Sequence, residues 1–188
     1  MTASFKQRSV YVSLIFLLFL TSCSQAPPPR TDHSAQFSHW AVACDHYLAS
    51  QAGEQMLVAG GNAVDAAVAA SFCLSVVRPF SCGIGGGGFM IISMPPSPED
   101  PDGSAIALDY REACPAAVGP EYFESLPLGS SELGVNASGV PGTVAGLLFA
   151  LEKYGTLDRA TVLAPAIRAA RDGFRADDFH VGAVETMK

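Results

Sequence analysis

Gly83-Ile84-Gly85-Gly86-Gly87-Gly88 runs straight into Phe89-Met90-Ile91-Ile92, and the reading of this junction decides the fold. Glycines at that density remove side chains where the backbone turns sharply or approaches another group closely. The apolar run that follows has the length and composition of a strand. Gly83, Gly85 and Gly88 also satisfy the Gly-x-Gly-x-x-Gly spacing of dinucleotide sites. That spacing must follow a strand and open a helix, however, and here a helical pattern precedes it and a strand follows. No Lys-Ser or Lys-Thr comes after the glycines, so a phosphate loop is excluded as well. The junction is therefore a tight turn packed against other backbone and feeding a sheet.

Upstream, Asn62 and Asp65 have the spacing of a helix cap and its partner, and residues 63–77 are almost wholly apolar. This predicts a helix buried on most of its surface, packed on the sheet and ended by Pro79. Before it, Ser50 is expected to cap a helix that stops at Gly60-Gly61, and residues 40–44 read as a short strand. Downstream, residues 89–93 and 105–110 read as an antiparallel pair around an exposed loop at 95–103. Residues 139–143 introduce a helix closed by Gly155; Pro165 suits the first turn of another that stops at Gly173, and Asp177 caps a last one. Helices, a β pair, then helices point to an α/β class.

Bulk properties narrow the function. The chain has 188 residues, 49% hydrophobic and 15% charged, with a net charge of −7. Lys6 and Arg8 sit in the first residues, so the remainder is more acidic still. An acidic body without a cluster of basic and aromatic residues argues against nucleic acid as a partner. Residues 1–22 read as an export signal, with a basic start and a short apolar stretch over residues 10–20. Leu20-Thr21-Ser22-Cys23 resembles a bacterial lipobox, which makes Cys23 the expected lipidation site and the membrane a partner through a lipid anchor. Residues 23–38, with Pro27-Pro28-Pro29, form an extended linker, and residues 39–188 the folded domain. The expected location is the cell envelope. Cys44, Cys73, Cys82 and Cys114 allow three pairings, and most are expected as buried free thiols. The scattered His33, His39, His46 and His180 give no zinc spacing, and His46 is expected as a packed core imidazole.

A longer ordered series is more specific. Leu48-Ala49-Ser50, Gly60-Gly61-Asn62-Ala63-Val64-Asp65-Ala66, the Gly83 to Phe89 run and Leu108-Asp109-Tyr110-Arg111-Glu112 occur in order. Gly139-Val140-Pro141-Gly142, Tyr154-Gly155-Thr156-Leu157 and Leu163-Ala164-Pro165-Ala166-Ile167 extend it. The series resembles the amino-terminal, large-subunit portion of γ-glutamyltransferases, also called γ-glutamyltranspeptidases or glutathione hydrolases. The resemblance implies an N-terminal nucleophile hydrolase fold, a four-layer αββα sandwich of which this chain carries the amino-terminal part. It implies γ-glutamyl transfer from, or hydrolysis of, glutathione and other γ-glutamyl compounds through a threonine acyl-enzyme, with no metal or organic cofactor. The threonine heads a small subunit that is absent from this sequence, so no catalytic residue is assigned, and the chain alone is expected to be inactive.

Arg111 matches the family arginine that grips the glutamyl α-carboxylate, a task suited to a planar guanidinium fork. Glu112 matches the adjacent glutamate and is expected to orient Arg111. Taken without the resemblance, Arg111 would be read as a surface ion pair with Asp109 or Glu112. Thr143, Thr156 and Thr161 do not match the nucleophile, and Asp65 is read as a helix-start residue. Two other readings stay open: an amide-cleaving acylase of the same fold, and a non-catalytic envelope lipoprotein domain.

Overall fold

The computed structural model describes residues 36–132 and 134–186. The signal, the lipobox with Cys23 and most of the linker lie outside them. In chain order the elements are helices α1 (Tyr47–Val58), α2 (Ala63–Val77) and α3 (Pro79–Cys82), then strands β1 (Phe89–Met94) and β2 (Ser104–Asp109). Helices α4 (Glu121–Glu124), α5 (Thr143–Tyr154), α6 (Arg159–Asp172) and α7 (Asp178–Thr186) follow, with a 3₁₀ turn at Val135–Ala137. The helices–hairpin–helices order is the α/β arrangement expected.

Helix α2 is the core. The Asn62 side chain accepts from the N–H groups of Val64 and Asp65, and the Asp65 carboxylate takes the Asn62 N–H at 2.7 Å. This reciprocal cap satisfies donors that a bare helix start leaves orphaned. Val68, Ala69, Cys73 and Val77 are buried, as the apolar pattern predicts. The packing partners differ from expectation, however. The helix lies chiefly against α1, α6 and α5 rather than on the hairpin. Its small residues permit that close helix–helix approach, while the hairpin is touched through β2 by α5.

Two readings upstream are corrected. Helix α1 starts at Tyr47 and its cap is His46, whose Nδ1 accepts from the Leu48 N–H at 3.2 Å. Ser50 lies inside the first turn, and its hydroxyl accepts from the Cys44 N–H at 3.1 Å. His46 is otherwise the packed core imidazole expected, 3% exposed and edge-on to Phe174. Residues 40–44 form no strand among the described residues. Val42 instead lies against Gly53 of α1, and a helix face offers no ladder of donors and acceptors to pair with.

The antiparallel pair forms as expected, in a register that sets Phe89 opposite Asp109 and Met94 opposite Ser104. Alternation turns Met90 and Ile92 toward the core, with Ile106 and Leu108 beside them. Phe89 and Ile91 point outward, 62% and 71% exposed, so the hairpin presents an exposed apolar face. Gly103, with φ of +69°, closes the loop back into β2 in a conformation that favours glycine. Cys73 is the one buried thiol of the four described; Cys44 and Cys82 are half-buried and Cys114 is exposed. Burial pushes the Cys44 and Cys73 thiols up.

Prolines mark two further differences. Pro79 ends α2 as expected but also opens the short turn α3. Pro165 sits well inside α6, which begins at Arg159 under an Asp158 cap. Asp158 accepts from the Thr161 N–H at 3.0 Å and its hydroxyl at 2.6 Å, fixing the first turn upstream of the proline. Val162, Pro165 and Ala166 are then buried, and that burial offsets the lost backbone bond.

Helix α7 is fastened by charge. Asp177 accepts from the His180 N–H, as a cap should, and from Arg78 Nη1 at 3.0 Å. Arg78 is 3% exposed, and its Nε also donates to Asp45 at 3.1 Å. Arg78 holds the Asp177 carboxyl down at about 2. A carboxyl with a depressed folded value contributes stability above its unfolded value, about 4, and loses it as pH falls through about 2. Asp177→Asn is therefore expected to abolish the part of the acid-induced stability loss that wild type shows between those values. Urea midpoints measured across that range check it, and parallel pH profiles would contradict it.

Candidate functional site

Tyr110, Arg111 and Glu112 leave the end of β2 as an extended strap. The Asp109 carboxylate accepts the Arg111 N–H at 3.0 Å, and among the described residues the guanidinium pairs with Glu112 rather than with Asp109. Arg111 Nε lies 3.5 Å from Glu112 Oε1, with the two side chains 64% and 37% exposed. The two residues singled out in the sequence thus stand side by side with the fork open to solvent. An exposed pair of this kind stabilises the fold by no more than about 1 kcal/mol.

The glycine turn lies directly against this strap. The Tyr110 N–H donates to the Gly88 carbonyl at 3.0 Å, and the Tyr110 hydroxyl donates to the Phe89 carbonyl at 3.3 Å. On its other side, the Gly86 carbonyl accepts from the N–H groups of Gly142 and Thr143 at 2.9 and 3.1 Å. The turn, the strap and the start of α5 are therefore one hydrogen-bonded assembly, which is the close backbone packing the glycine run predicts. A cavity of about 520 Å³ opens beside it, lined by Ser71, Cys82, Gly86, Tyr110, Thr143 and Leu147 among others. Arg111 is not on that wall. Glu112 lines a second cavity, about 410 Å³, together with Cys114, Tyr122 and Asn136.

The threonines are committed elsewhere. Thr156 Oγ1 donates to Asp65 at 2.8 Å and Thr161 Oγ1 to Asp158, while Thr143 is buried at the head of α5. Asp65, read as a helix-start residue, proves to be a junction as well. It also accepts the N–H groups of Thr156 and Leu157, tying the α5–α6 connection to α2. Burial opposes its charge, but hydrogen bonds from Asn62, Leu157 and Thr156 outweigh this and hold the carboxyl below its ordinary value. Tyr110 was not singled out by sequence reasoning. The signal available was Gly142 and Gly146 one helical turn apart, a spacing that opens one face of α5 to a bulky neighbour.

A family model for gamma-glutamyltranspeptidase matches residues 49–187. The chain is 45% identical over 145 residues to a glutathione hydrolase of Aspergillus flavus, covering 77% of this chain and 22% of that protein. It is 41% identical over 150 residues to the Escherichia coli glutathione hydrolase proenzyme, covering 78% and 25%. Among solved structures, the Helicobacter pylori gamma-glutamyltranspeptidase superposes with a TM-score of 0.74 at 36% identity, over 81% of this chain and 43% of that one. A cephalosporin acylase from Bacillus halodurans superposes at 0.62 and 26% identity, over 83% and 32%. The chain spans about a quarter of the length of these curated relatives. The N-terminal nucleophile hydrolase fold expected from the sequence is the fold of these structural relatives. With the family model covering residues 49–187 and a solved member superposing over 81% of the chain, the chain belongs to the gamma-glutamyltranspeptidase family.

Proposed function

We propose that residues 39–188 form the glutamyl-binding portion of an enzyme that transfers or hydrolyses the γ-glutamyl group of glutathione and related amides. Arg111 takes the substrate α-carboxylate, and Glu112 holds the guanidinium in plane. The observation that carries this reading is an open guanidinium fork with the Glu112 carboxylate beside it, rooted in a strap at a strand end. A second segment, headed by threonine and outside these 188 residues, supplies the nucleophile and oxyanion donors. Its hydroxyl oxygen bonds to the γ-carbonyl carbon, its proton passes through the free α-amine to the leaving amine, and the C–N bond breaks. Water or an acceptor amine then resolves the ester. No step calls for a metal or organic cofactor.

Completing the protein with its threonine-led segment, in the same chain or as a partner, is expected to give release of aniline from a γ-glutamyl anilide. The 188 residues alone are expected to give none, since losing even one oxyanion donor costs on the order of 10²–10³ in rate. Turnover by these residues alone would overturn the assignment of the nucleophile. An acylase of the same fold is the second reading, favoured by the likeness to the cephalosporin acylase. It predicts equal or better cleavage of an acyl amide that lacks the α-carboxylate. A non-catalytic lipoprotein domain predicts no turnover in the completed protein.

We also propose envelope anchoring through lipid on Cys23. Cys23→Ala is expected to move the protein from the membrane pellet to the soluble fraction. A mature amino terminus away from Cys23 would contradict it.

A further inference from the structure

We infer that Gly87, Gly139, Gly142 and Gly146 are positioning residues for Arg111: they wall a trench that sets where the guanidinium starts. The inference rests on Arg111 binding the substrate carboxylate. A methyl group added at Gly87 would lie 2.6 Å from the Arg111 Cα and closer still to the Glu112 nitrogen. One at Gly142 would overlap the Tyr110 carbonyl, and one at Gly146 would stand 2.5 Å from Tyr110 Cδ1. At Gly139 the nearest atom is Glu112 Cγ at 3.1 Å. The strap is thus enclosed from the glycine turn on one side and from the approach to α5 on the other.

Both walls are fixed to each other and to the strap. Gly86 accepts from Gly142 and Thr143, and Ala113 exchanges backbone bonds with Val140 at 3.2 and 2.8 Å. The encroached atoms at Gly87 and Gly142 are backbone, which cannot swing aside as a side chain can. None of these four glycines has a positive φ among the described residues. Space, and not backbone conformation, is what keeps these positions free of side chains. A Cβ at Gly87 must push the strap outward and carry the Arg111 fork with it.

The test uses the completed enzyme with two variants, Gly87→Ala and the milder Gly139→Ala. Each is assayed on a γ-glutamyl anilide and on the 4-aminobutyryl anilide that lacks the α-carboxylate. A displacement of this size is expected to raise KM for the γ-glutamyl substrate by about 10- to 100-fold in Gly87→Ala, with kcat changed far less. Gly139→Ala, where the neighbour is a side-chain carbon, is expected to do the same more weakly. Constants for the 4-aminobutyryl substrate should stay at wild-type values in both. Unchanged KM in both variants, or equal losses on the two substrates, would overturn the positioning role. A readout independent of turnover separates this inference from the one beneath it: peptide-resolved phenylglyoxal modification of Arg111, with and without glutamate. Glutamate protection in wild type that is lost in Gly87→Ala supports the trench, and protection retained in Gly87→Ala overturns it. No protection in wild type means that the carboxylate-binding role of Arg111 has failed; a crystal structure of Gly87→Ala with the strap unmoved would still overturn the trench.

Discussion

Asp65→Ala is expected to be among the most damaging single substitutions in this chain. The carboxylate is fully buried and accepts from the N–H groups of Asn62, Thr156 and Leu157 and from the Thr156 hydroxyl. Its neighbours are shaped around it: a Cβ at Gly155 would meet its Oδ1 at 2.6 Å, and one at Gly61 its Oδ2 at 3.0 Å. Alanine leaves those part-buried donors without their partner, at up to about 1–3 kcal/mol each. A total loss of roughly 3–6 kcal/mol is a large fraction of the roughly 5–15 kcal/mol that holds a domain together. Urea unfolding followed by circular dichroism measures it. A loss under about 1 kcal/mol would show that α2 and the α5–α6 connection hold together without the carboxylate. Acid should act in the same direction. The folded carboxyl titrates below its ordinary value, so its contribution is present above about 4 and disappears as pH falls through the lower folded value.

Arg111→Lys in the completed enzyme is expected to reduce kcat/KM for a γ-glutamyl anilide by about 10- to 100-fold, the loss of roughly one charge-assisted hydrogen bond. The charge is retained, so long-range attraction of the carboxylate survives, but an ammonium cannot make two parallel bonds in one plane. Stability should hardly move, because the side chain is 64% exposed and its ion pair with Glu112 is partly solvated. Loss of activity with an unchanged melting midpoint is therefore the expected signature.

Much of this arrangement is legible before any coordinates, and the reason is local. The Asn62 and Asp65 cap, the glycine turn and the two strands each carry their signal within a few residues, and the structure places each within one residue of expectation. What escaped the sequence depends on distant partners. Residues 40–44 have strand composition but lie against helices. Ser50 is a good cap by type, yet its hydroxyl serves Cys44 while His46, a less usual cap, is held in place by Phe174. Pro165 suits a first turn, but Asp158 and burial against α2 start the helix earlier. The trench around Tyr110 and Arg111 joins glycines separated by more than fifty positions, and no local pattern connects them.

The proposed function turns on recognition of the substrate α-carboxylate by Arg111. It is tested most directly by a double cycle in the completed enzyme: wild type and Arg111→Lys, each on γ-glutamyl anilide and on 4-aminobutyryl anilide. The expected result is a strong wild-type preference for the carboxylate-bearing substrate that shrinks by about 10- to 100-fold in the variant, with the 4-aminobutyryl rates unchanged. Equal preferences in wild type and variant would contradict it.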